Sequence, residues 1–482
     1  MSLFSMPRPR LIALILLSLA QFIILFDITS VTLATVKIRD ALHLSPAATP
    51  WVLSAYGLTF GGFLILGGRL GDLYGRKRLL LAGLLAFSIC SLITAVVSDP
   101  LYFFTARAVK GLAAALIAPN AFSTISALFL EPKEKHQAFS IWWFIATFGA
   151  VVSMLISGAV ANQSWRLALA MNVPFSLVLA YFIFRHVEEN KLDKASRSFD
   201  YVGAGLVTLS CGLLIFTITN GLKLGVTSPL VLSLFAGAVI SSIAFFILQR
   251  VHPAPLIPLE VFRNWHVIGG ALFTFLWAAS NAAFILNLFL QDVLHFTPRG
   301  AGLFGLPGSI TGIIFSLLAI GLLNRFGAIR VLIAGVFLEA LGGGTYVLLN
   351  ASSSTVQVLI GSLILAIGLV LGGIAVKVPA TLGIAPHQQG VVGGMLFAGQ
   401  YLGSAFGPPI MGALLEAGKK SDGGSVITGY HWAFSATPVI IISGLIVALV
   451  LFRLPGPVPI RKEPAPGPKS RVEVEEVAEV IV

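Results

Sequence analysis

Gly68-Arg69-Leu70-Gly71-Asp72-Leu73-Tyr74-Gly75-Arg76-Lys77-Arg78 separates two apolar runs, 51–67 and 79–97, and this arrangement determines the fold class. So short a connection predicts two antiparallel helices with a charged loop at one membrane face. The loop carries four cations, which resist translocation, so we expect that face to be cytoplasmic. Its three glycines allow positive φ and close helix contact. Asp72 can pair with an arginine or a helix N-terminus, as a latch would, but a purely topological role would also explain the loop.

The composition is that of a membrane protein with many spans. Of the 482 residues, 57% are hydrophobic and 11% are charged, and the mean hydropathy is +0.94. A soluble domain would have about a quarter charged residues. The net charge of +11 comes mainly from short loops, so the positive-inside rule explains it without a nucleic-acid partner. We expect Cys90 and Cys211 to be core residues, and no cleavable signal peptide is evident.

A window of about 20 residues per span predicts fourteen transmembrane helices. A cytoplasmic N-terminus places fifteen Lys and Arg residues in the inside connections and seven in the outside ones, so both termini are predicted to be cytoplasmic. The predicted spans are 11–36, 50–70, 79–97, 101–128, 138–160, 165–185, 202–221, 229–249, 267–291, 300–323, 330–350, 355–377, 390–416 and 432–453.

Two polar breaks divide the chain into two six-helix halves and an inserted helix pair. The first break follows span six, and the second, which contains three prolines, follows span eight. The C-terminal tail is rich in proline and then acidic, which predicts disorder. The predicted organisation is a cytoplasmic N-terminus (1–10), an N-terminal half (11–185), a cytoplasmic linker (186–200), inserted helices 7 and 8 (201–250), a cytoplasmic loop (251–266), a C-terminal half (267–453) and a cytoplasmic tail (454–482).

The charged loop resembles a family signature. Its pattern is similar to G-x-x-x-D-x-x-G-R-K/R between helices two and three of the major facilitator superfamily. That family has two six-helix halves with a substrate cavity between them. The resemblance implies an all-α membrane fold, and it implies a conformational latch at Gly68, Asp72, Gly75, Arg76 and Lys77.

Charged side chains inside a predicted span are expensive and often functional, and the first half offers a possible pair of them. Asp27 lies in span one, roughly 24 Å from the inner end, and Arg107 lies in span four, roughly 9 Å from the outer end. These depths are similar, so an ion pair is sterically allowed. Such a pair could couple transport to protons, since a neighbouring cation and desolvation oppose each other at a carboxylate. A purely structural clamp between the helices is the alternative.

Both neighbourhoods resemble the fourteen-helix drug:proton antiporter branch of the family. Residues 26–29 (FDIT) are similar to its L-D-x-T, and residues 107–115 to its R-x-x-Q-G-x-G-A-A, which is linked to proton transfer. Lys110 replaces the usual Gln and would either deepen the effect on Asp27 or snorkel to another partner. Residues 165–174 also match, but 153–158 (SMLISG) depart from G-P-x-x-G-G, which implies a stiffer fifth span and leaves antiport open.

Most candidates for the substrate cavity lie in the second half. Glu339 lies near the middle of span eleven and could bind a cationic substrate, carry a second proton or serve as packing glue. Gln400 and Tyr401 lie mid-span and could either line the cavity or serve helix packing, and Lys110 could line the cavity from the first half. Asp292 lies at a span end, where an interfacial role is expected.

The function predicted from these features is secondary active transport. We expect a monomer in the plasma membrane that exports small amphipathic or cationic compounds in exchange for protons, by alternating access. No phosphate-binding loop of ATP-driven pumps, catalytic constellation or metal-ligand spacing occurs in the sequence, so neither an enzyme nor a cofactor is expected. The alternatives are a facilitator or importer without obligatory antiport and a non-transporting membrane sensor.

Overall fold

The computed structural model describes residues 7–129, 131–189, 200–225, 227–252, 255, 263–381, 384 and 389–454. Most of the predicted linker, of the loop before span nine and of the C-terminal tail lies outside these residues. The described residues form seventeen α-helices and one short 3-10 helix, with no strand among them. The α-helices are α1 (Arg8–Ala41), α2 (Trp51–Tyr74), α3 (Arg76–Val96), α4 (Pro100–Leu128), α5 (Pro132–Gln163), α6 (Trp165–Ala170), α7 (Asn172–His186), α8 (Tyr201–Leu224), α9 (Pro229–Val251), α10 (Trp265–Ala279), α11 (Ala283–Asp292), α12 (Pro298–Phe326), α13 (Ala328–Thr345), α14 (Thr355–Ala375), α15 (Lys377–Ala380), α16 (Gln389–Ser421) and α17 (Val426–Arg453).

Each of the fourteen predicted spans falls on one helix or on one interrupted helix. Among the described residues, twelve helical segments are long and apolar enough to cross a membrane. The two further spans correspond to α5 and α16, which have 32 and 33 residues and carry charged residues near their ends. Large apolar side chains remain exposed on the outside of the bundle, as with Leu317 at 73%, which suits a lipid-facing surface.

Polar residues define where many helices begin. The side chains of Asp99, Ser164, Ser228, Thr297 and Ser354 accept hydrogen bonds from backbone N–H groups in the first turn of the following helix. These N–H groups have no partner within the helix, so each such cap stabilises a helix start by about 1 kcal/mol. The short polar connections between apolar runs therefore determine the helix boundaries.

Three predicted spans are interrupted, which the apolar pattern does not reveal. Pro174 and Pro379 lie three residues after the breaks at Met171 and Val376, and proline cannot donate the backbone hydrogen bond that would continue each helix. The break between α10 and α11 contains no proline. There the Asn281 side chain accepts a hydrogen bond from Ala283 N at 2.9 Å, which starts a new helix.

The helices form two groups with an additional pair beside them. Helices α1–α7 pack on one another, as do α10–α17. The groups meet where α2 contacts α16, α5 contacts α12, and α1 contacts α11 and α12. Helices α8 and α9 pack together, and α8 also contacts α2 and α16 at the boundary between the groups.

The connection predicted as a loop over 68–78 is mostly helical. Helix α2 continues to Tyr74, and α3 begins at Arg76. Only Gly75 between them has a positive φ, of 102°. Gly71 lies in the interior of α2, where a Cβ atom would lie within 3 Å of the Asn120 side chain of α4. Gly71 therefore serves the expected close helix contact, and the positive φ that these glycines allow is used at Gly75.

Candidate functional site

The predicted pair of Asp27 and Arg107 is present in the middle of the first helix group. Arg107 Nη1 donates to Asp27 Oδ2 at 2.7 Å, and both side chains are fully buried. Arg107 Nε donates to the carbonyl oxygen of Val52 in α2 at 3.0 Å. The expectation that the two reach similar depth is confirmed, and the pair joins α1 to α4.

Lys110 and Asn172 also contact the same carboxylate. Lys110 Nζ donates to Asp27 Oδ1, and Asn172 Nδ2 donates to that oxygen at 3.1 Å. Lys110 lies one turn after Arg107 on α4 and is fully buried, so it does not snorkel to a polar surface. Asn172 comes from the break between α6 and α7, which places its amide inside the bundle.

Aromatic rings cover the two cations. The Arg107 guanidinium lies 4.7 Å from the centroid of the Tyr56 ring, and Lys110 Nζ lies 4.4 Å from that of Phe87. Rings at these distances attract cations and exclude water. We call Asp27, Arg107, Lys110 and Asn172 the buried charge cluster. It holds two cations and one carboxylate, and the salt bridges of both cations within the described residues are with Asp27.

Two serines of α5 contact α1 beside this cluster. Ser153 Oγ donates to the Phe26 carbonyl oxygen at 3.3 Å, and the Ser157 and Ser30 hydroxyls lie 2.5 Å apart. Both serines stand where the resembled motif has glycine, Met154 stands where it has proline, and α5 contains no proline after its first residue. Two hydrogen bonds thus tie an uninterrupted α5 to α1.

The predicted latch residues form a network at the other end of α2. Arg76 Nε donates to Asp72 Oδ1 at 2.9 Å, and Arg76 Nη1 donates to the Ser123 carbonyl oxygen of α4 at 2.9 Å. Lys77 Nζ donates to the Phe184 carbonyl oxygen of α7 at 2.8 Å. A Cβ atom on Gly68 would lie 3.3 Å from the Pro119 side chain. The latch residues therefore connect α2, α3, α4 and α7 within the first group.

Sequence reasoning missed Glu189, which completes this network. Its carboxylate accepts hydrogen bonds from the backbone N–H groups of Lys77 and Arg78 at 3.1 and 3.2 Å. A carboxylate at a helix N-terminus compensates the unpaired N–H groups there. Glu189 follows α7 in the polar break after span six. A charged residue in such a break is expected simply to be solvated, so nothing in the sequence indicated this contact.

Glu339 lies at the helix break of the second group. Its Oε1 accepts a hydrogen bond from Ser280 Oγ at 2.8 Å, and Ser280 is in turn bonded through its carbonyl oxygen to Thr437 Oγ1 at 2.9 Å. Glu339 is fully buried, and its Oε2 has no hydrogen-bond partner within the described residues. It packs against Gly368 of α14, where a Cβ atom would lie 2.2 Å from Glu339 N.

Tyr401 lies between the two groups, while Gln400 is half-buried beside it. The Tyr401 hydroxyl accepts a hydrogen bond from Gln21 Nε2 of α1 at 3.4 Å, and its ring lies 4.0 Å from that of Phe60 in α2. Lys110 and Glu339 are enclosed within their own groups in this conformation. A cavity role for these residues stays a prediction. A crevice of about 510 Å³ occurs elsewhere, between α2 and the pair α8–α9, lined mainly by Trp51, Phe63, Leu209, Phe216 and Leu234.

An ion pair joins the two groups at the end of α1. Arg39 Nη1 and Nη2 donate to the two carboxylate oxygens of Asp292 at 2.7 and 3.0 Å, and the Tyr430 hydroxyl donates to the same carboxylate at 3.4 Å. Nearby, Asn287 Nδ2 donates to the Thr32 carbonyl oxygen at 2.6 Å. The expected role at the membrane surface therefore describes Asp292 only in part, because its carboxylate also links α11 to α1 and α17.

Comparison with known proteins adds the family. A sequence profile described as the Major Facilitator Superfamily matches residues 17–376 and, in a second match, 267–479. The chain belongs to the Major Facilitator Superfamily. The predicted family is thus confirmed, and with it an all-α membrane fold of the major facilitator type.

Two curated members of the superfamily are similar over most of the chain. The cephamycin export protein CmcT of Amycolatopsis lactamdurans is 30% identical over 446 residues, which cover 91% of this chain and 92% of CmcT. The puromycin resistance protein pur8 of Streptomyces alboniger is 32% identical over 411 residues, which cover 83% and 80%. An auto-inhibited peptide transporter of the POT family has the same fold, with a TM-score of 0.67 at 16% identity over 95% of this chain and 99% of that one.

Superfamily membership makes this chain a multi-span membrane transporter of small molecules. It argues against the alternative of a non-transporting membrane sensor. Membership alone does not determine the direction of transport, the driving force or the substrate. The buried charge cluster bears on the driving force.

Proposed function

We propose that this transporter exports small amphipathic or cationic compounds from the cell in exchange for protons, by alternating access. The observation that carries the proposal is the buried charge cluster around Asp27. The names of its relatives, a cephamycin export protein and a puromycin resistance protein, support export of toxic compounds as the direction.

The cost of burying the cluster is the physical argument for a functional role. Three charged groups with no exposed surface are expensive to desolvate, and replacing such a group by packed apolar residues often stabilises a protein. A transporter gains from the cluster if its charge changes during the cycle, because a change of buried charge biases the packing of the helices that enclose it. Asp27 and Arg107 therefore form the coupling element of the proposal.

The contacts between the helix groups support alternating access. On the side that the charge pattern predicts to be outside, Arg39 and Asp292 join α1 to α11. The α5–α12 contact is also close there, since a Cβ atom on Gly302 would lie 2.6 Å from the Met154 carbonyl oxygen. We propose that these contacts close the outer side, that they separate when the inner side closes, and that the Asp72–Arg76 network works as a latch in this change.

The proposal includes the remaining features of the sequence prediction. Both termini lie in the cytoplasm of a plasma-membrane protein that functions as a monomer, and Glu339, Gln400, Tyr401 and Lys110 contribute to binding or coupling as the halves move. Glu339 forms no salt bridge within the described residues, and it is the acid near the middle of the second half that could meet a cationic compound.

Inside-out vesicles from overexpressing cells test the proposal. With an acidified lumen, the fluorescent amphipathic cation ethidium should accumulate, and collapse of the pH difference by an ionophore should stop it. Asp27→Asn should abolish this accumulation at equal expression. Lys37→Gln should not, since Lys37 Nζ is bonded only to the Asn162 carbonyl oxygen within the described residues. Accumulation that persists in the Asp27 variant would contradict the proposal.

Transport without obligatory antiport is the second candidate, and the uninterrupted α5 favours it. A stiff α5 tied to α1 by Ser153 and Ser157 resists the bend that the family resemblance associates with exchange. In that case ethidium should equilibrate across the vesicle membrane at the same rate with and without the pH difference, and it should never exceed its concentration outside.

A further inference from the structure

The buried charge cluster contains one more cation than it has carboxylates. Asp27, Arg107 and Lys110 are all fully buried, and both cations contact the same carboxylate. We infer that Lys110, rather than Asp27, is the group that binds and releases the coupling proton. The inference rests on the proposed proton exchange and assigns the proton to a different residue within the same cluster.

Counting the buried charge in each protonation state leads to this assignment. With all three groups ionised the cluster carries +1. A proton added to Asp27 would raise this to +2 and leave two cations without a counter-ion. A proton lost from Lys110 would lower it to zero and leave the Asp27–Arg107 pair intact. Because uncompensated buried charge is costly and a paired charge is less so, the change that the protein tolerates is loss of the Lys110 proton.

The hydrogen bonds at Asp27 favour the same assignment. Its carboxylate accepts from Arg107 Nη1, Lys110 Nζ and Asn172 Nδ2. Guanidinium and ammonium groups are donors without acceptor capacity, so a proton on Asp27 would face donors at both oxygens. A neutral Lys110 amine keeps two N–H groups and can still donate to Oδ1. Proton loss at Lys110 therefore breaks no hydrogen bond of Asp27.

The surroundings of Lys110 on every packed helix fit this role. Asp27 faces it from α1, Cys90 and the Phe87 ring from α3, Asn172 from α7 and Arg107 from its own helix. Tyr56 of α2 lies against Arg107 on the far side, next to Tyr401 of α16. None of these described neighbours is a second carboxylate that could hold Lys110 permanently charged.

In the proposed cycle the amine of Lys110 accepts a proton from the outside and becomes an ammonium ion. It releases this proton to the inside after the transporter has opened to that side. One N–H bond therefore forms and breaks in each transport cycle. The Phe87 ring, 4.4 Å from Nζ, stabilises the charged state in this conformation. Movement of α3 relative to α4 would remove that contact and favour release.

Proteoliposomes with an internal pH dye test the inference with two substitutions, Lys110→Gln and Lys110→Arg. Glutamine cannot be protonated, and arginine stays charged. We expect both variants to lose ethidium-driven proton movement at least about tenfold, by analogy with general proton-transfer groups. Exchange of internal for external ethidium at equal pH needs no net proton transfer. This exchange should therefore survive in at least one of the two Lys110 variants, which shows that the variant is folded and binds ethidium. Lys37→Gln serves as the control.

Normal proton coupling in Lys110→Gln would overturn the inference and leave Asp27 as the proton carrier. If wild-type protein moves ethidium without protons, the proposed function fails instead, so the two failures are distinguishable. A measurement without substrate provides a second test. Infrared difference spectra of the purified chain between low and high pH should contain no protonated-carboxyl band that Asp27→Asn removes, and the presence of such a band would refute the assignment.

Discussion

The ion pair between Arg39 and Asp292 leads to a prediction about the balance between conformations. Replacing Arg39 by Gln removes the bidentate contact that joins α1 to α11, at 2.7 and 3.0 Å. The conformation with a closed outer side should lose stability relative to the open one, because the contact can exist only when the two helices are adjacent. The population with an open outer side should therefore increase.

The exposure of the pair determines the size of this effect. Hydrogen bonds between charged groups contribute about 1.5–3 kcal/mol when buried. Both side chains of the pair are 26% exposed, and solvent reduces the value toward that of surface pairs. We expect about 1–2 kcal/mol, which corresponds to about a 5-fold to 30-fold increase in the ratio of open to closed outer side.

Distance measurements between spin labels can detect this change. Labels at Ala41 and Arg299, both exposed at the same end of α1 and α12, report the separation of the groups. In a background without the native cysteines, the long-distance fraction should increase in Arg39→Gln and similarly in Asp292→Asn. The double variant should change little further, since the contact is already lost.

Lys37 provides a matched control for this measurement. It lies two residues before Arg39 on α1, but its Nζ donates to the Asn162 carbonyl oxygen of α5 within the same group, at 2.6 Å. Lys37→Gln should leave the distance distribution unchanged. Equal distributions for wild type and Arg39→Gln, or an equal change in the Lys37 variant, would refute the reasoning.

Three further substitutions have expected outcomes. Gly342→Ala should destabilise the fold by about 1–3 kcal/mol through overpacking and so lower the melting temperature in detergent, because the new Cβ would lie 2.4 Å from Leu365 N. Gly344→Ala is the control and should not lower it, since nothing lies within 4 Å of its Cβ position. Equal melting temperatures for the two variants would exclude this packing. Glu339→Gln should stay within about 1 kcal/mol of wild type in thermal unfolding, since an amide can keep the Ser280 contact; a larger loss would indicate that the carboxylate charge stabilises the fold. Glu189→Ala should cost about 1 kcal/mol and speed amide exchange at the start of α3; unchanged exchange would contradict the cap.

The fold was largely predictable because apolar runs and polar breaks alternate along the whole chain. Each predicted span coincides with a helix, and capping residues such as Asp99 and Ser354 mark the boundaries in the sequence itself. The interruption at Ser280 was not predictable, since it depends on side-chain bonds rather than on proline. The helical state of residues 68–74 was also missed, because glycine and charge in sequence suggest a loop, whereas packing on α4 favours helix.

The part of the site that depends only on the depth of residues in the membrane was predictable. Asp27 and Arg107 lie at the same depth on helices of opposite direction, and they meet. Sequence reasoning left the position of Lys110 open, because its side chain could reach either the carboxylate or a polar surface. The packed helices decide it, since they bury Lys110 against Asp27 and the Phe87 ring. The Arg39–Asp292 pair could not be found from spacing, since it joins residues 253 positions apart across two helix groups.

The measurement that tests the central claim most directly is the ethidium gradient at which net flux stops in proteoliposomes held at a fixed pH difference. Exchange through the buried charge cluster predicts that this stopping gradient increases in proportion to the imposed pH difference in wild type, and that it vanishes in Asp27→Asn. A wild-type stopping gradient of zero at every pH difference would contradict the account.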